Sequence, residues 1–314
     1  MAPTILIVGA TGNTGKKVVE TLPKLLRESK SLSNHRILCL TRSAKSDTAQ
    51  KLAKTPGTEL IEQNWVNITA AWLKDHNVER VFMASHNFPV QFAEESQFYV
   101  NCLRAGVKYV VRISTTANAV RSDSIAYYQR AHWAIESLLS SPAFEKLGWT
   151  SLQPHIFLPM ILGSAAEFVK EYRKTGKQGK LSLFVNENKP AGLIDSDDVG
   201  RAAAHLIVSD DFSPYNRKRL VLNGPEQITG AQIVELVQKS IGAKVEEIVW
   251  NDTSLIEQMA EQSPENKNII LSVKDAAQEY WDSDIKDAPT SKIILDLCPP
   301  KRTAAEVFDE LLQQ

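Results

Sequence analysis

Gly9, Gly12 and Gly15 fall at every third position of the stretch VGATGNTG, directly after an apolar run and directly before a helical pattern. Glycine lets the chain turn tightly and lets an anionic group approach the backbone. The helix that follows offers unpaired N–H groups and a positive dipole end. Together these are the chemistry of holding a pyrophosphate, in the first strand–turn–helix step where a dinucleotide site is built. Thr11, Asn13 and Thr14 add polar side chains at the mouth. A turn needed only for packing is the competing reading.

The next strand ends in CLTRSAKS. An acid at that point would bond a ribose 2′-hydroxyl, whereas an arginine accommodates a 2′-phosphate. No acid occurs between Asn34 and Ser46, and Arg42, Ser43 and Lys45 follow the strand. Arginine matches phosphate geometry and lysine adds charge, so NADP(H) is the expected cofactor, against a merely solvated basic turn.

In an open α/β sheet the ligand lies beyond the carboxyl ends of the strands. The segment ASHNFP therefore brings Ala84, Ser85 and His86 along the cofactor and Phe88 toward a substrate. Ser114, Thr115 and Thr116 end another strand, where hydroxyls face the nicotinamide or satisfy loop backbone. Tyr128 and His132 share a helix face, and imidazole titrates near working pH. Three roles stay open for His132: wall of a pocket, contact to a ribose, or proton transfer. The six histidines, His35, His76, His86, His132, His155 and His205, show no metal-ligand spacing and no cysteine pair helps, so no metal is expected. No G-x-S-x-G turn supports hydrolase chemistry.

The elements that must position these residues are legible as alternation. Strand-like runs at Thr4–Val8, Arg36–Thr41, Glu59–Gln63, Arg80–Ser85, Tyr109–Ser114 and Thr150–Pro154 are short and mostly unalternating, as in strands buried on both faces. Helical patterns follow Gly15, with Pro23 inside, and cover Ala93–Arg104 and Tyr128–Ser140. The order predicts a doubly wound, Rossmann-type parallel sheet with right-handed crossovers. The second half is more mixed. It holds helices at Phe157–Lys174 and Asp195–Val208, a strand at Arg219–Gly224, a capping box at Thr229–Gln232 before a helix closed by Gly242, a strand in VEEIVW, and a final helix capped by Thr303. We expect a dinucleotide-binding domain over 1–155 and a smaller α+β substrate lobe over 156–314, with elements returning to the main sheet.

Composition removes other classes. The 36 basic and 37 acidic side chains leave a net charge of -1 and no basic stripe, so direct nucleic-acid binding is not expected. Every apolar run is shorter than the ~20 residues a bilayer requires, and no charged leader precedes Thr4. Cys39, Cys102 and Cys298 are scattered, which suits free thiols in a reducing compartment, the cytoplasm.

The chain resembles the NmrA-like family of atypical short-chain dehydrogenases through VGATGNTG, LTRSA, GVKYVVRIS, HWAIESLL, TSLQPHIFL, DSDDVGRAAAHLI and LVLNGPEQITGAQIVELV, in order along nearly its whole length. The resemblance implies a Rossmann domain, a small lobe and a cleft between them, in a family that holds reductases as well as regulators. It leads the segment from Pro154 through Phe157 past the nicotinamide, where His155 contacts the cofactor amide, contacts a substrate or is merely structural, and where Phe157 and Met160 give the pocket apolar walls. It puts Ser114 where a catalytic serine stands. The Tyr-x-x-x-Lys pair of short-chain dehydrogenases is absent, because four residues on from Tyr127 is Ala131 and from Tyr128 is His132. His132 aligns with the lysine of the family's Lys-x-x-x-Glu pattern, and Glu136 keeps its second half. The expected function is NADPH-dependent reduction of a small apolar or conjugated electrophile such as a quinone, enone or iminium. The alternatives are a non-catalytic NADP(H)-sensing regulator with a protein partner, or a non-redox isomerase or auxiliary protein. Oligomeric state stays open.

Overall fold

The computed structural model describes residues 2–283 and 287–314. In chain order the elements are β1 Thr4–Val8, α1 Gly15–Glu28, β2 Arg36–Thr41, α2 Asp47–Leu52, β3 Thr58–Glu62, α3 Ala70–Asp75, β4 Val78–Met83, α4 Gln91–Ala105, β5 Tyr109–Ile113, α5 Tyr127–Ser140 and β6 Gly148–Pro154. There follow α6 Leu158–Thr175, β7 Leu181–Ser182, α7 Ser196–Ile207, β8 Lys218–Leu222, α8 Gly230–Ile241, β9 Ile248–Val249, α9 Ser254–Glu261, α10 Lys267–Asp282, α11 Lys292–Leu297 and α12 Ala304–Gln313.

Seven strands form one parallel sheet in the order β3-β2-β1-β4-β5-β6-β8. The order reverses between β1 and β4, which opens the crevice where such sheets bind ligands. All five residues of β1 are buried, because helices cover both faces. One core layer holds Ile5, Ile7, Val18, Val19 and Leu22 with Val199, Ala203 and Leu206 of α7. The other holds Leu6, Val8, Phe98, Tyr99, Ile135 and Trp149. A third core lies under α6, α8 and α12.

Local chemistry sets the helix ends. Asp195 caps α7, accepting from the Asp197 amide at 2.8 Å, and acids fill its first turn. Capping boxes start α8 (Thr229, Gln232) and α12 (Thr303, Glu306), and Gly242 ends α8 at φ +70°. Several boundaries differ from the sequence expectation. β4 stops at Met83 instead of Ser85, where Ala84 turns against Gly9. The expected strand VEEIVW contracts to Ile248–Val249, because its partner β7 has only two residues. The short helices α2, α3 and α11, the pair α9–α10 and strand β7 were not anticipated. Among the described residues no helix is long and apolar enough to cross a membrane, and the three cysteines are free, with Cys39 and Cys102 buried.

Candidate active site

The glycine turn is built by close approach. Gly9 has φ +78°, and a Cβ there would lie 2.4 Å from the Ala84 carbonyl oxygen, across the point where the strand order reverses. A Cβ at Gly15 would lie 2.0 Å from the Gly9 carbonyl oxygen, so α1 can start only on a glycine. The Gly12 amide donates to that same oxygen at 3.0 Å. No side chain caps α1 and no acid stands in its first turn. Its dipole end is therefore free of competing negative charge from its own turn. Gly12 and Asn13 are exposed there, Thr11 is half-buried and Thr14 is buried. A pyrophosphate fits this cradle.

At the end of β2 the Thr41 hydroxyl donates to the Ser43 carbonyl and accepts from the Ser43 amide, closing a tight turn. Arg42, Ser43 and Lys45 are exposed on it. Among the described residues neither cation has an acidic partner. The acid nearest this turn comes from the next strand: Glu62 accepts from the Ala44 amide at 2.8 Å. Sequence reading along β2 alone missed it.

The loop after β4 is tied to α4. Ser85 donates to Glu95 at 2.8 Å. His86 holds Glu94 through Nε2 at 2.6 Å and accepts the Phe88 amide at Nδ1. Both side chains are thus committed to α4, and Phe88, 59% exposed, stands against the His86 ring. Ser114 is buried at the end of β5, and its Oγ has no partner among the described residues.

His132 is 2% exposed and lies between two groups the sequence did not single out. Arg112 Nη2 donates to its Nδ1 at 2.9 Å, and its Nε2 lies 3.2 Å from Asn87 Oδ1. Burial, and then the Arg112 charge, push the imidazole down to about 3, so it is neutral at neutral pH. Arg112 is itself wholly buried. It bonds Glu95 through Nε at 2.9 Å and Ser151 at 3.0 Å. Glu95 also accepts from Tyr99 at 2.5 Å, and Ser151 donates to Glu136 at 2.6 Å. Glu136 accepts in turn from Arg219 at 2.8 Å. Two guanidinium groups thus face two carboxylates, and position 132 carries no charge. Tyr128 keeps its proton, because burial raises it above the usual phenol range against weaker hydrogen bonds to Gln129 and Thr115.

Beside Tyr128 lies a cavity of about 170 Å³. Thr116, Tyr128 and His155 wall it from the sheet side, and Met160 of α6, Phe184 after β7 and Leu193 before α7 from the other. Ala276, Tyr280 and Trp281 of α10 cover it. Phe88 is not part of this wall. His155 Nδ1 accepts the Ile156 amide, so its Nε2–H donates to Asp287 at 3.0 Å. Asp287 also takes the Tyr280 hydroxyl at 3.1 Å and the Gly192 amide at 2.9 Å. Burial alone would raise its carboxyl; these bonds outweigh that and hold it below the usual carboxylate range. Lys189 donates to the Tyr280 and Ser283 carbonyls and sits over the Tyr280 ring. These contacts fasten α10 down. Pro154 is buried at the end of β6, and Phe157 precedes α6, bridging to Ile194. Among the described residues no cluster of three or more His, Cys, Asp or Glu side chains forms a metal site.

Residues 1–298 match the NmrA-like family. A curated relative, the uncharacterized oxidoreductase YesF of Bacillus subtilis, is 22% identical over 81% of this chain and 77% of its own length. An NADPH complex of an NADPH-dependent quinone oxidoreductase from Escherichia coli superposes with a TM-score of 0.70 at 20% identity, covering 98% of this chain and 99% of that one. A Citrobacter sp. triphenylmethane reductase with NADP(H) gives 0.69 at 16% identity, over 98% and 100%. NmrA, a negative transcriptional regulator bound to NADP, gives 0.68 at 13% identity, over 99% and 97%.

Proposed function

The chain belongs to the NmrA-like family, and from that premise we propose that it is an NADPH-dependent oxidoreductase acting on a small, apolar or conjugated electrophile of the quinone, enone or iminium type. The observation that carries this reading is the half-open, largely apolar cavity at the carboxyl ends of β5 and β6, on the same side of the sheet as a glycine cradle that fits a pyrophosphate. A structure complexed with NADPH and two with NADP(H) or NADP share the fold.

When bound, the nicotinamide supplies a hydride. The chain's own work is binding, orientation and exclusion of water. Gly9, Gly12 and Gly15, with Thr11, Asn13 and Thr14, hold the pyrophosphate at the start of α1. Arg42, Ser43 and Lys45 take the 2′-phosphate. Ala84, Ser85 and His86 pass the cofactor with their backbone, because the Ser85 and His86 side chains are held by α4. Ser114, Pro154, His155 and Phe157 border the nicotinamide. Met160 walls the substrate space and Phe88 stands near its entrance. Tyr128 stays protonated, donates a hydrogen bond to the oxygen of a quinone or enone, and passes its proton to the oxyanion left when hydride adds, regaining one from solvent; an iminium needs no proton. His132, being neutral and doubly engaged, does not deliver it. Such electrophiles react largely through positioning, which suits a site without the lysine.

The test is NADPH oxidation by the purified chain across a panel of quinones, enones and iminium ions. Tight NADPH binding with no oxidation by any member of the panel overturns the proposal. One observation favours a second reading, a cofactor-sensing regulator: the helix position that carries lysine in the family holds a buried, neutral histidine. Equal affinity for a protein partner with NADPH, NADP+ or neither excludes it.

A further inference from the structure

Arginine can only donate hydrogen bonds, and that fact fixes the direction of a buried chain of contacts. Arg112 Nη2 donates to His132 Nδ1 at 2.9 Å, so Nδ1 carries no proton. The one proton of the neutral ring is therefore on Nε2, which faces the Asn87 carboxamide at 3.2 Å. A donor there requires an acceptor, so the Asn87 oxygen points to His132 and its NH2 group points away. The other Asn87 oxygen, its backbone carbonyl, accepts the Tyr127 hydroxyl at 2.6 Å. Both oxygens of Asn87 are thus anchored to the first turns of α5. The residue is exposed, and its Nδ2 has no partner among the described residues.

The place matters as much as the polarity. Asn87 follows β4 at the carboxyl side of the sheet, where the strand order reverses. Three residues before it, Ala84 touches Gly9 of the phosphate turn. One residue from its anchor Tyr127, Tyr128 walls the cavity. Asn87 stands between the pyrophosphate cradle and the substrate space, the stretch that the nicotinamide half of a dinucleotide must cross. We propose that the Asn87 carboxamide binds the nicotinamide half of the cofactor through its two N–H groups, and that His132 and Arg112 are positioning residues that fix which end of that carboxamide meets it. This rests on the dinucleotide reading above, though not on hydride transfer.

The experiment is a fluorescence titration of the full chain with NADPH and, separately, with adenosine 2′,5′-bisphosphate, which lacks the nicotinamide half. Asn87→Ala is expected to weaken NADPH about tenfold, the loss of one or two neutral hydrogen bonds, and to leave the bisphosphate unchanged. His132→Leu should weaken NADPH similarly, and the double variant no more than either single one. His132→Gln, whose amide can accept from Arg112 and donate to Asn87, should retain the wild-type affinity. Unchanged NADPH affinity in Asn87→Ala overturns the proposal. So does an equal loss for both ligands, or additive losses in the double variant. A wild-type chain that binds the bisphosphate and NADPH equally also overturns it, whereas one that binds neither overturns the dinucleotide reading as well.

Discussion

Arg112 has no exposed surface, and an isolated buried guanidinium costs several kcal/mol. Glu95 offsets that cost, and Arg219 balances Glu136, which leaves position 132 as a neutral site pressed against a cation. A lysine there would add an uncompensated charge. His132→Lys is therefore expected to destabilise the chain by about 3 kcal/mol or more, read as a lower midpoint in thermal melts, with no gain in NADPH affinity. The same burial gives a pH signature. The folded imidazole is held at about 3, below its unfolded value of 6.5, so between those values the unfolded chain binds the extra proton. The contribution is complete above pH 6.5 and is lost as pH falls toward 3. Lowering pH from 7 to 5 should cost the wild type about 2 kcal/mol from this residue alone. Because His35 and His205 are also lowered, the signature is the difference from His132→Gln, whose stability should fall less over that interval. Identical pH slopes would falsify it. At the other end of the crevice, Arg42→Ala should weaken NADPH by about 1.5–3 kcal/mol, as for a lost charged hydrogen bond, and leave NADH unchanged in parallel titrations.

At the scale of elements, α10 is the cover of the cavity, and Asp287 is where it is fastened. Removing that carboxylate leaves the His155 Nε2–H, the Tyr280 hydroxyl and the Gly192 amide without their acceptor. Asp287→Ala is expected to cost on the order of 1–3 kcal/mol and to speed amide exchange in α10 while leaving β1, β4 and β5 protected. Uniform exchange across the sheet and α10 would show that no local fastening exists. This cover was not legible in the sequence. The segment KNIILSVKDAAQEYWD carries charges along with its apolar residues, and its anchors lie far away in His155, Lys189 and Gly192. The glycine turn and the basic end of β2 were legible, because each is written in one short stretch. The absence of lysine at position 132 was legible too, but its cause was not. Arg112, Glu95 and Asn87 come from β5, α4 and the loop after β4, and only the folded sheet brings them to one imidazole. Arg112 left a trace, a charge inside the apolar strand YVVRI, which one strand in isolation cannot interpret.

At the scale of the whole molecule, elements from beyond residue 155 return to the main sheet. α7 and β8 lie beyond residue 155, yet α7 shares a core layer with α1, and β8 pairs with β6 as the sheet's last strand. Lys17 of α1 meets Asp197 of α7 at 3.0 Å, and a Cβ at Gly200 would lie 2.6 Å from the Thr14 carbonyl oxygen. Those contacts set a helix from the far half of the chain against the dinucleotide turn. A fragment of residues 1–155 would expose Val18, Val19 and Leu22 of α1 along with the open edge of β6. It is expected to show no cooperative thermal transition and to bind a hydrophobic dye strongly. A cooperative melt with no dye binding would show that the turn needs no help from α7. The close fit of Gly200 against Thr14 also sets an order of events during synthesis. The glycine turn leaves the ribosome well before α7, so until α7 is made the apolar face of α1 that it covers stays open on the nascent chain. Long-range closure of this kind slows folding and prolongs exposure to aggregation. The segment that defines the binding site is thus the one for which a chaperone, holding α1 until its partner arrives, would matter most.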